Sequence, residues 1–598
     1  MRICIIGAGP RGTSVLERIC ANRSEPGVEV HLIDPYPPGA GSVWRTDQSG
    51  HLLMNTVASQ VSLFTDDSVD CEGPIVTGPS LYEWAYPELG PDEYPTRAMY
   101  GRYLEWVFAR LVAQDDVKVV VHQGTAVTLT DQPDGRQSVT LRSGSTVDDL
   151  DAVVLALGHG PVVLTEQERG LRDFADRHGL RYLPPSNPAD VDLSRIEPGE
   201  RVALRGMGLN FFDYLALLTE GRGGRFTPGP SGLVYHPSGR EPVLFAGSRR
   251  GVPHHARGEN QKGAAGRHHP RFLTPEVVER LRARGGIRFM RDIWPLVDKE
   301  VRSVYYETLV GRPDFARRHR MLLHAGRDDR DLLAEYGVTE LWDWSRVAKP
   351  HGDMHFADHA DFHRWLLEYL RNDAQEARLG NVDSPLKAAL DVLRDLRNEI
   401  RLAVDHGGIT GASYRDELAR WYTPLNAFLS IGPPLRRIEE MVALLEAGVL
   451  RVVGPGMRVR TGDAAFQVDA ASVPAPPVSV TTLIEARIPD IDLSRSTNPL
   501  LRYLLATGQC STYRIPDEGA DPFDSGGLAV TERPYRMIDA AGRVHPNRFA
   551  YGVPTEYVHW VTAAGIRPGV GSVTLEDSDA IARAVLRCAV PDLASLAG

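Results

Sequence analysis

Three features of the 598-residue sequence predict an α/β protein: an apolar run into Gly7-Ala-Gly9-Pro10-Arg11-Gly12, a second strand-turn-helix pattern at 201–213, and a helical stretch over 272–447. The predicted class is two dinucleotide-binding, Rossmann-like domains with a large helical insertion. The first turn is the firmest of the three. A helical pattern with Val15, Leu16 and Ile19 on one side follows it, and a second apolar run then closes on Asp34. In such a unit Gly7 permits the tight turn, Gly9 lets a pyrophosphate approach the backbone, and Gly12 lets helix and strand pack closely. Pro10 and Arg11 stand at the helix N-terminus, which faces the phosphates, and Asp34 is placed to bond ribose hydroxyls. The competing reading is a tight turn that binds nothing, with Arg11 solvated.

Composition bounds the rest. At 598 residues the chain exceeds one compact domain. It is 42% apolar and 24% charged, as in an ordinary globular enzyme, and its formal charge of −11 argues against a nucleic-acid binder. The cysteines Cys4, Cys20, Cys71, Cys510 and Cys588 are scattered and show no Cys-x-x-Cys spacing. That pattern predicts a reducing cytoplasm, with neither a disulfide framework nor a cysteine zinc site. A Rossmann strand occupies the place of a signal peptide, and no apolar run reaches the ~18 residues of a membrane span. A cytoplasmic protein without a membrane partner is the expectation.

Residues 1–165 read as the first part of a flavin-binding domain. Prolines and glycines over 35–41 disfavour a regular element. The segment after a ribose acid passes over the isoalloxazine ring, which needs apolar groups for its body and amides or hydroxyls for its edge. Trp44, Arg45, Met54, Asn55, Thr56 and Gln60 are candidates, against the alternative of a surface loop with one buried aromatic. An amphipathic helix is predicted over 100–111 and strands over 117–122, 138–141 and 151–157. The last ends at Gly158, as where a chain leaves the first dinucleotide domain beside its cofactor.

Residues 166–271 read as the second dinucleotide domain. Its turn carries Gly206, Gly208 and Asn210, but Phe211 stands where the third glycine is expected. A nicotinamide site and a relict unit with altered binding both remain open. Ser248, Arg249 and Arg250 end a later strand and suit the 2′-phosphate of NADPH. They lie at twice the usual spacing of about 20 residues. The basic loop after them, from His254 to Arg271, is a funnel for an anionic ligand or a solvated loop.

Over 272–447, Thr274-Pro275 and Ser384-Pro385 are N-cap and first-turn pairs. Leu386, Ala389, Leu390, Leu393, Leu396 and Ile400 form a core stripe. Arg291, Lys299, Arg302 and Tyr306 are candidate substrate anchors, with a solvated face as the alternative. His351, His355, His359 and His363 recur every four residues, but a polar helix surface explains them better than a metal site. Residues 448–598 are expected to return to the first domain. There Arg567-Pro-Gly569-Val570-Gly-Ser and a closing helix would bring backbone amides to the flavin's pyrimidine edge.

Several of these motifs occur together elsewhere. Ile5-Ile-Gly-Ala-Gly-Pro-Arg-Gly-Thr-Ser, Leu53-Met-Asn-Thr-Val-Ala, Gly206-Met-Gly-Leu-Asn-Phe-Phe-Asp and Arg567-Pro-Gly-Val-Gly-Ser resemble a bacterial family of large FAD/NAD(P)-binding proteins related to flavin-dependent N-hydroxylating monooxygenases. Those of its relatives that oxidise the amine of aspartate to nitrosuccinate look most like this chain in size and in their helical insertion. The resemblance implies FAD, NADPH and O2 as cofactors and co-substrate, a small amine or amino acid as substrate, and oxygen transfer through a C4a-hydroperoxyflavin. Asn55 and Gln60 would then be its stabilisers. A homodimer is left open. The alternatives are a flavin-dependent NAD(P)H oxidoreductase without oxygen insertion, and a non-catalytic nucleotide-binding sensor.

Overall fold

The computed structural model describes residues 1–588 apart from 25, 115, 116, 231 and 518. The first strand, Arg2–Ile6, lies near the middle of a six-stranded sheet. It pairs in parallel with Glu29–Asp34 on one side and Ala152–Leu155 on the other. Lys118–Gln123 extends the first side in parallel, so the run expected at 117–122 joins this sheet. Ala126–Asp131, Gln137–Leu141 and Thr146–Leu150 form a separate antiparallel meander.

The far end of the chain completes the sheet. Val544–Ala550 pairs in parallel with Ala152–Leu155, and the closing helix Val573–Arg587 packs on the first helix, Pro10–Asn22. Ser14 donates to the Ser578 hydroxyl at 2.8 Å across that contact. The pattern is physically consistent: a buried parallel sheet needs helices on its faces, and one of these comes from more than 500 residues away.

A second sheet is parallel throughout, in the order Leu450–Pro455, Val243–Ser248, Arg201–Arg205, Thr482–Glu485, Arg181–Leu183. Two of its five strands come from the region expected to return to the first domain. Residues 450–485 therefore belong with the second sheet, and the return begins after them. The reason lies in the apolar pattern of the two strands: Thr482–Glu485 is wholly buried and lies between two neighbours, and Leu450–Pro455, buried at all but one position, closes the edge beside Val243–Ser248.

The helical stretch is not a separate body. Its helices and the second sheet share one hydrophobic core, distinct from the core of the first domain. Thr274 and Ser384 cap their helices as the sequence predicts, accepting from the amides of Val277 and Lys387. The helix His359–Asp383 breaks at Gly380, where the backbone turns to φ 92°. The histidine series is split by the helix start, and His359 Nε2 lies 2.9 Å from the Val452 carbonyl. No helix among the described residues is long and apolar enough to cross a membrane.

Candidate active site

The first glycine turn is built as the sequence predicts. Gly7 has φ 101°, and a Cβ there would lie 2.5 Å from the Ala156 carbonyl oxygen. A Cβ on Gly12 would lie 1.9 Å from the Gly7 carbonyl oxygen, whereas one on Gly9 would meet only Gly41 Cα, at 3.9 Å. The turn is therefore closed toward the sheet and open on the side where a pyrophosphate approaches. Gly9 caps the helix with no side-chain bond, which leaves first-turn amides for a ligand. Asp34 accepts from the amides of Ala8 (2.7 Å) and Tyr36 (2.8 Å), which holds its carboxylate beside the turn. Burial raises its pKa against those two bonds.

Arg11 adds a second sign of a ligand. Its guanidinium sits 5.8 Å from the centre of the Tyr551 ring and makes no ion pair or hydrogen bond among the described residues. Burial lowers its pKa, as expected of a cation lacking a counter-charge. An uncapped helix terminus, an open glycine and an unpaired arginine together fit the pyrophosphate of FAD. Gly158 follows the strand Ala152–Leu155, where the closing loop arrives: Val553 donates to the Leu157 carbonyl at 3.3 Å. Gly569 donates to Asp66 at 2.7 Å, and Val570 stands half-buried just before the closing helix.

The second turn repeats the plan. Gly206 has φ 119° and faces the Ala486 carbonyl, and Gly208 packs under the His254 ring. The Gly206 amide bonds Gly247 at 2.9 Å, just as Gly7 bonds Ile33 at 2.9 Å. Ser248 therefore occupies the place that Asp34 holds in the first unit. The doubled spacing has a simple cause: the hairpin of Arg225–Gly229 and Gly232–His236 is inserted between helix and strand. Arg249 is exposed at the same strand end.

Other expected contacts are differently employed. Arg250 turns into the helical region, donating to the Ala348 carbonyl and lying 4.5 Å from the centre of the Phe428 ring. Asn210 donates to the Ser186 carbonyl at 3.1 Å. Arg45 bonds the carbonyls of Ser42 and Ala189 and pairs with Asp190 at 2.6 Å, so it ties the two dinucleotide units together. Trp44 stacks edge-on against Tyr100 at 4.8 Å. Met54 is buried in the core of the first domain, while Asn55 and Thr56 remain half-buried. Gln60 is buried, and its amide donates to Asn260 (3.2 Å) and the Gly263 carbonyl (2.8 Å).

The four predicted substrate anchors do not converge. Arg291 is 58% exposed and pairs with Asp292 at 2.8 Å. Lys299 sits 5.9 Å from the centre of the Phe272 ring. Arg302 pairs with Asp329 at 2.6 Å, and the buried Tyr306 hydroxyl accepts from the Trp342 amide at 2.7 Å. The charges of Arg291 and Arg302 are neutralised locally, and the helix that carries Lys299, Arg302 and Tyr306, Trp294–Val310, packs against Pro313–His324.

A different set of arginines has donors to spare. Arg257 of the basic loop donates to the Asn55 carbonyl, which brings it to the segment expected over the flavin. Arg397 opens the helix Arg397–Val404, and among the described residues its side chain's one hydrogen bond runs from Nε to the Arg394 carbonyl, at 3.1 Å. Burial, then the charge of Arg401, lowers its pKa to about 10; Arg257 and Arg567 add to the effect and Asp395 opposes it. Arg567 is committed to the carbonyls of Ala264 and Gly266, and Arg401 to those of Trp560 and Val561. Arg257 and Arg397 thus keep donors for a ligand. A signal existed in the sequence: Arg397 and Arg401 are like charges at i, i+4 in a helix otherwise read as core, an arrangement that needs a partner.

A family profile described as FAD-NAD(P)-binding matches residues 4–160. The nitrosuccinic acid synthase of Aspergillus oryzae is 56% identical, over 98% of this chain and 93% of that protein. An L-aspartate N-monooxygenase (nitrosuccinate-forming) of Streptomyces davaonensis is 54% identical, over 98% and 97%. One of Streptomyces cremeus is 55% identical, over 98% and 94%. The chain belongs to the nitrosuccinate-forming L-aspartate N-monooxygenase family. Membership makes it an FAD-dependent N-monooxygenase, as the motif resemblance implies.

Proposed function

We propose that the protein oxidises the amine of L-aspartate to the nitro group of nitrosuccinate, using FAD, NADPH and O2. The observation that carries the substrate reading is the pair Arg257 and Arg397, two arginines with unused donors that feel each other's charge, Arg257 being bonded to the Asn55 carbonyl. A dicarboxylate needs two such cations, and guanidinium binds carboxylate in a planar, two-bonded way. The electron balance is definite. Converting an amine to a nitro group removes six electrons from nitrogen, in three two-electron oxidations that each consume one O2 and one NADPH.

The redox chemistry, electron transfer from reduced nicotinamide to O2, comes from FAD when bound. The turn at Gly7, Gly9 and Gly12, with Arg11 and Asp34, would hold it. The second turn, with Ser248 and Arg249, would hold NADPH. The chain's own work is then binding, orientation and control of protonation. Arg257 and Arg397 hold the carboxylates and so fix the amine between them. Only a free amine is nucleophilic, and the surrounding arginines oppose its protonation, as nearby positive charge does to any ammonium. Asn55 and Gln60 present amides at the cleft, and the bonds from Gln60 to the 260–263 segment keep its orientation fixed.

NADPH consumption in the presence of L-aspartate, with mass detection of nitrosuccinate, tests the reading. Replacing Arg397 by Ala is expected to raise the KM for aspartate by roughly ten- to a hundredfold, the worth of one charged hydrogen-bonded contact. NADPH oxidation that aspartate does not stimulate, or that yields no N-oxidised product, would return the simpler NAD(P)H oxidoreductase.

A further inference from the structure

We propose that the buried ion pair Asp373–Lys387 is a positioning device that aims Arg257 at the substrate. The inference rests on the reading of Arg257 as a substrate anchor. Asp373 lies on the helix His359–Asp383 and Lys387 on the next helix, Pro385–Asp395. Both side chains are almost wholly buried and meet at 2.6 Å. What they hold is unusual. Asp373 accepts from the Ala256 amide at 2.7 Å, and Lys387 donates to the Ala256 carbonyl at 2.7 Å. The residue immediately before Arg257 is gripped at both of its polar backbone groups by the two halves of one ion pair.

The grip continues on either side. His255 Nδ1 lies 2.6 Å from Asp373, and its Nε2 lies 3.2 Å from the Tyr369 hydroxyl. Arg257 donates its own amide to the Pro433 carbonyl at 3.0 Å. Beyond it, Glu259 and Asn381 bond through their backbones at the Gly380 break. Gln261 Oε1 accepts from the amides of Val382 and Asp383. The strap 255–261 is therefore seated on the break in the helix, and Arg257 is the strap's one arginine.

A buried ion pair seldom stabilises a fold more than apolar residues of equal size would; its better-attested use is to fix one arrangement among several. Here the arrangement is the direction of a guanidinium at the substrate cleft. Burial works to raise the Asp373 pKa, but the charges of Lys387 and His255 outweigh it and keep the carboxylate ionised. A small misplacement of a substrate-orienting group costs far more in binding and turnover than in stability.

The test is a double-mutant cycle on the full-length, FAD-loaded enzyme, with L-aspartate as the varied substrate. Lys387→Met is expected to raise the KM for aspartate by on the order of tenfold, with FAD content and NADPH-driven flavin reduction unchanged. In an Arg257→Ala background the same substitution is expected to add nothing further, because its effect passes through Arg257. Multiplying effects, or a KM that Lys387→Met leaves alone, would overturn the positioning role while leaving Arg257 as an anchor. An unchanged KM in Arg257→Ala itself would overturn the anchor reading and the positioning role with it. Should Lys387→Met not fold, Lys387→Gln, which removes the charge but keeps a donor toward the Ala256 carbonyl, takes its place in the cycle and is judged by the same outcomes.

Discussion

The two glycine turns share one plan and differ in what closes them. In the first, Gly12 packs on the Gly7 carbonyl with no room for a methyl group, and the strand after the helix ends on an acid. In the second, Phe211 fills the third position and is fully buried, and the equivalent strand ends on Ser248 and Arg249. The backbone bracket is the same in both, amide to carbonyl at 2.9 Å. The difference lies in the partner each accepts. An acid suits a ribose with free hydroxyls, as in the ADP half of FAD, whereas a serine and an arginine suit a phosphorylated one. In the function proposed above, one scaffold would serve two dinucleotides, told apart by the side chains at one strand end.

The sharpest way to break this comparison is at Gly12. Gly12→Ala would place a methyl 1.9 Å from the Gly7 carbonyl oxygen, so helix and strand must separate. The expected result is protein purified without bound FAD, measured by flavin absorbance per chain. Gly9→Ala, whose methyl meets only Gly41 Cα at 3.9 Å, should fold and lose flavin affinity alone. Full flavin occupancy in Gly12→Ala would show that the first turn is no tighter than the second.

A second difference concerns pH. The His254 ring rests on Gly208, and Nδ1 lies 3.3 Å from the Ile431 carbonyl. Burial lowers its pKa to about 4; Arg250 and His255 assist, and the contact with Ile431 works the other way. The unfolded chain binds a proton here near pH 6.5 and the folded chain only near 4. Stability from this group is therefore present above pH 6.5 and is lost as pH falls toward 4. Across that window the loss is at most about 3 kcal/mol. Thermal unfolding of His254→Gln, followed from pH 7 to 4, should show a flatter dependence than the parent chain. Parallel curves would sink the assignment.

The sequence made the first turn, the capped helices and the second turn legible because each is local: the residues that matter lie within one strand-turn-helix. It placed Leu450–Pro455 and Thr482–Glu485 with the first domain, whereas both join the second sheet, since an apolar strand does not name its neighbours. The same limit bears on the anchor candidates. Lys299, Arg302 and Tyr306 share a helical spacing, but only the fold reveals Asp329 against Arg302. Arg257 and Arg397 lie 140 residues apart, and their nearness depends on the strap seated at Gly380. Gln60 was recognisable as an amide suited to the flavin edge, but its ties to Asn260 and Gly263 come from another domain.

The smallest expected effect is also the most specific to the comparison. If Ser248 and Arg249 replace the acid of the first unit in order to read a 2′-phosphate, removing the charge should matter only for the phosphorylated cofactor. Arg249 is exposed at the strand end and has no ion pair among the described residues, so Arg249→Ala should leave the fold intact. The KM for NADPH should rise roughly tenfold, the value of one exposed charge-assisted contact, while the KM for NADH stays where it was. Flavin reduction by each nucleotide, followed at 450 nm without oxygen, separates the two directly. An equal loss for both would mean that Arg249 supports the turn rather than the phosphate. An equal gain for NADH in Ser248→Asp would mean that the second strand end obeys the same rule as Asp34.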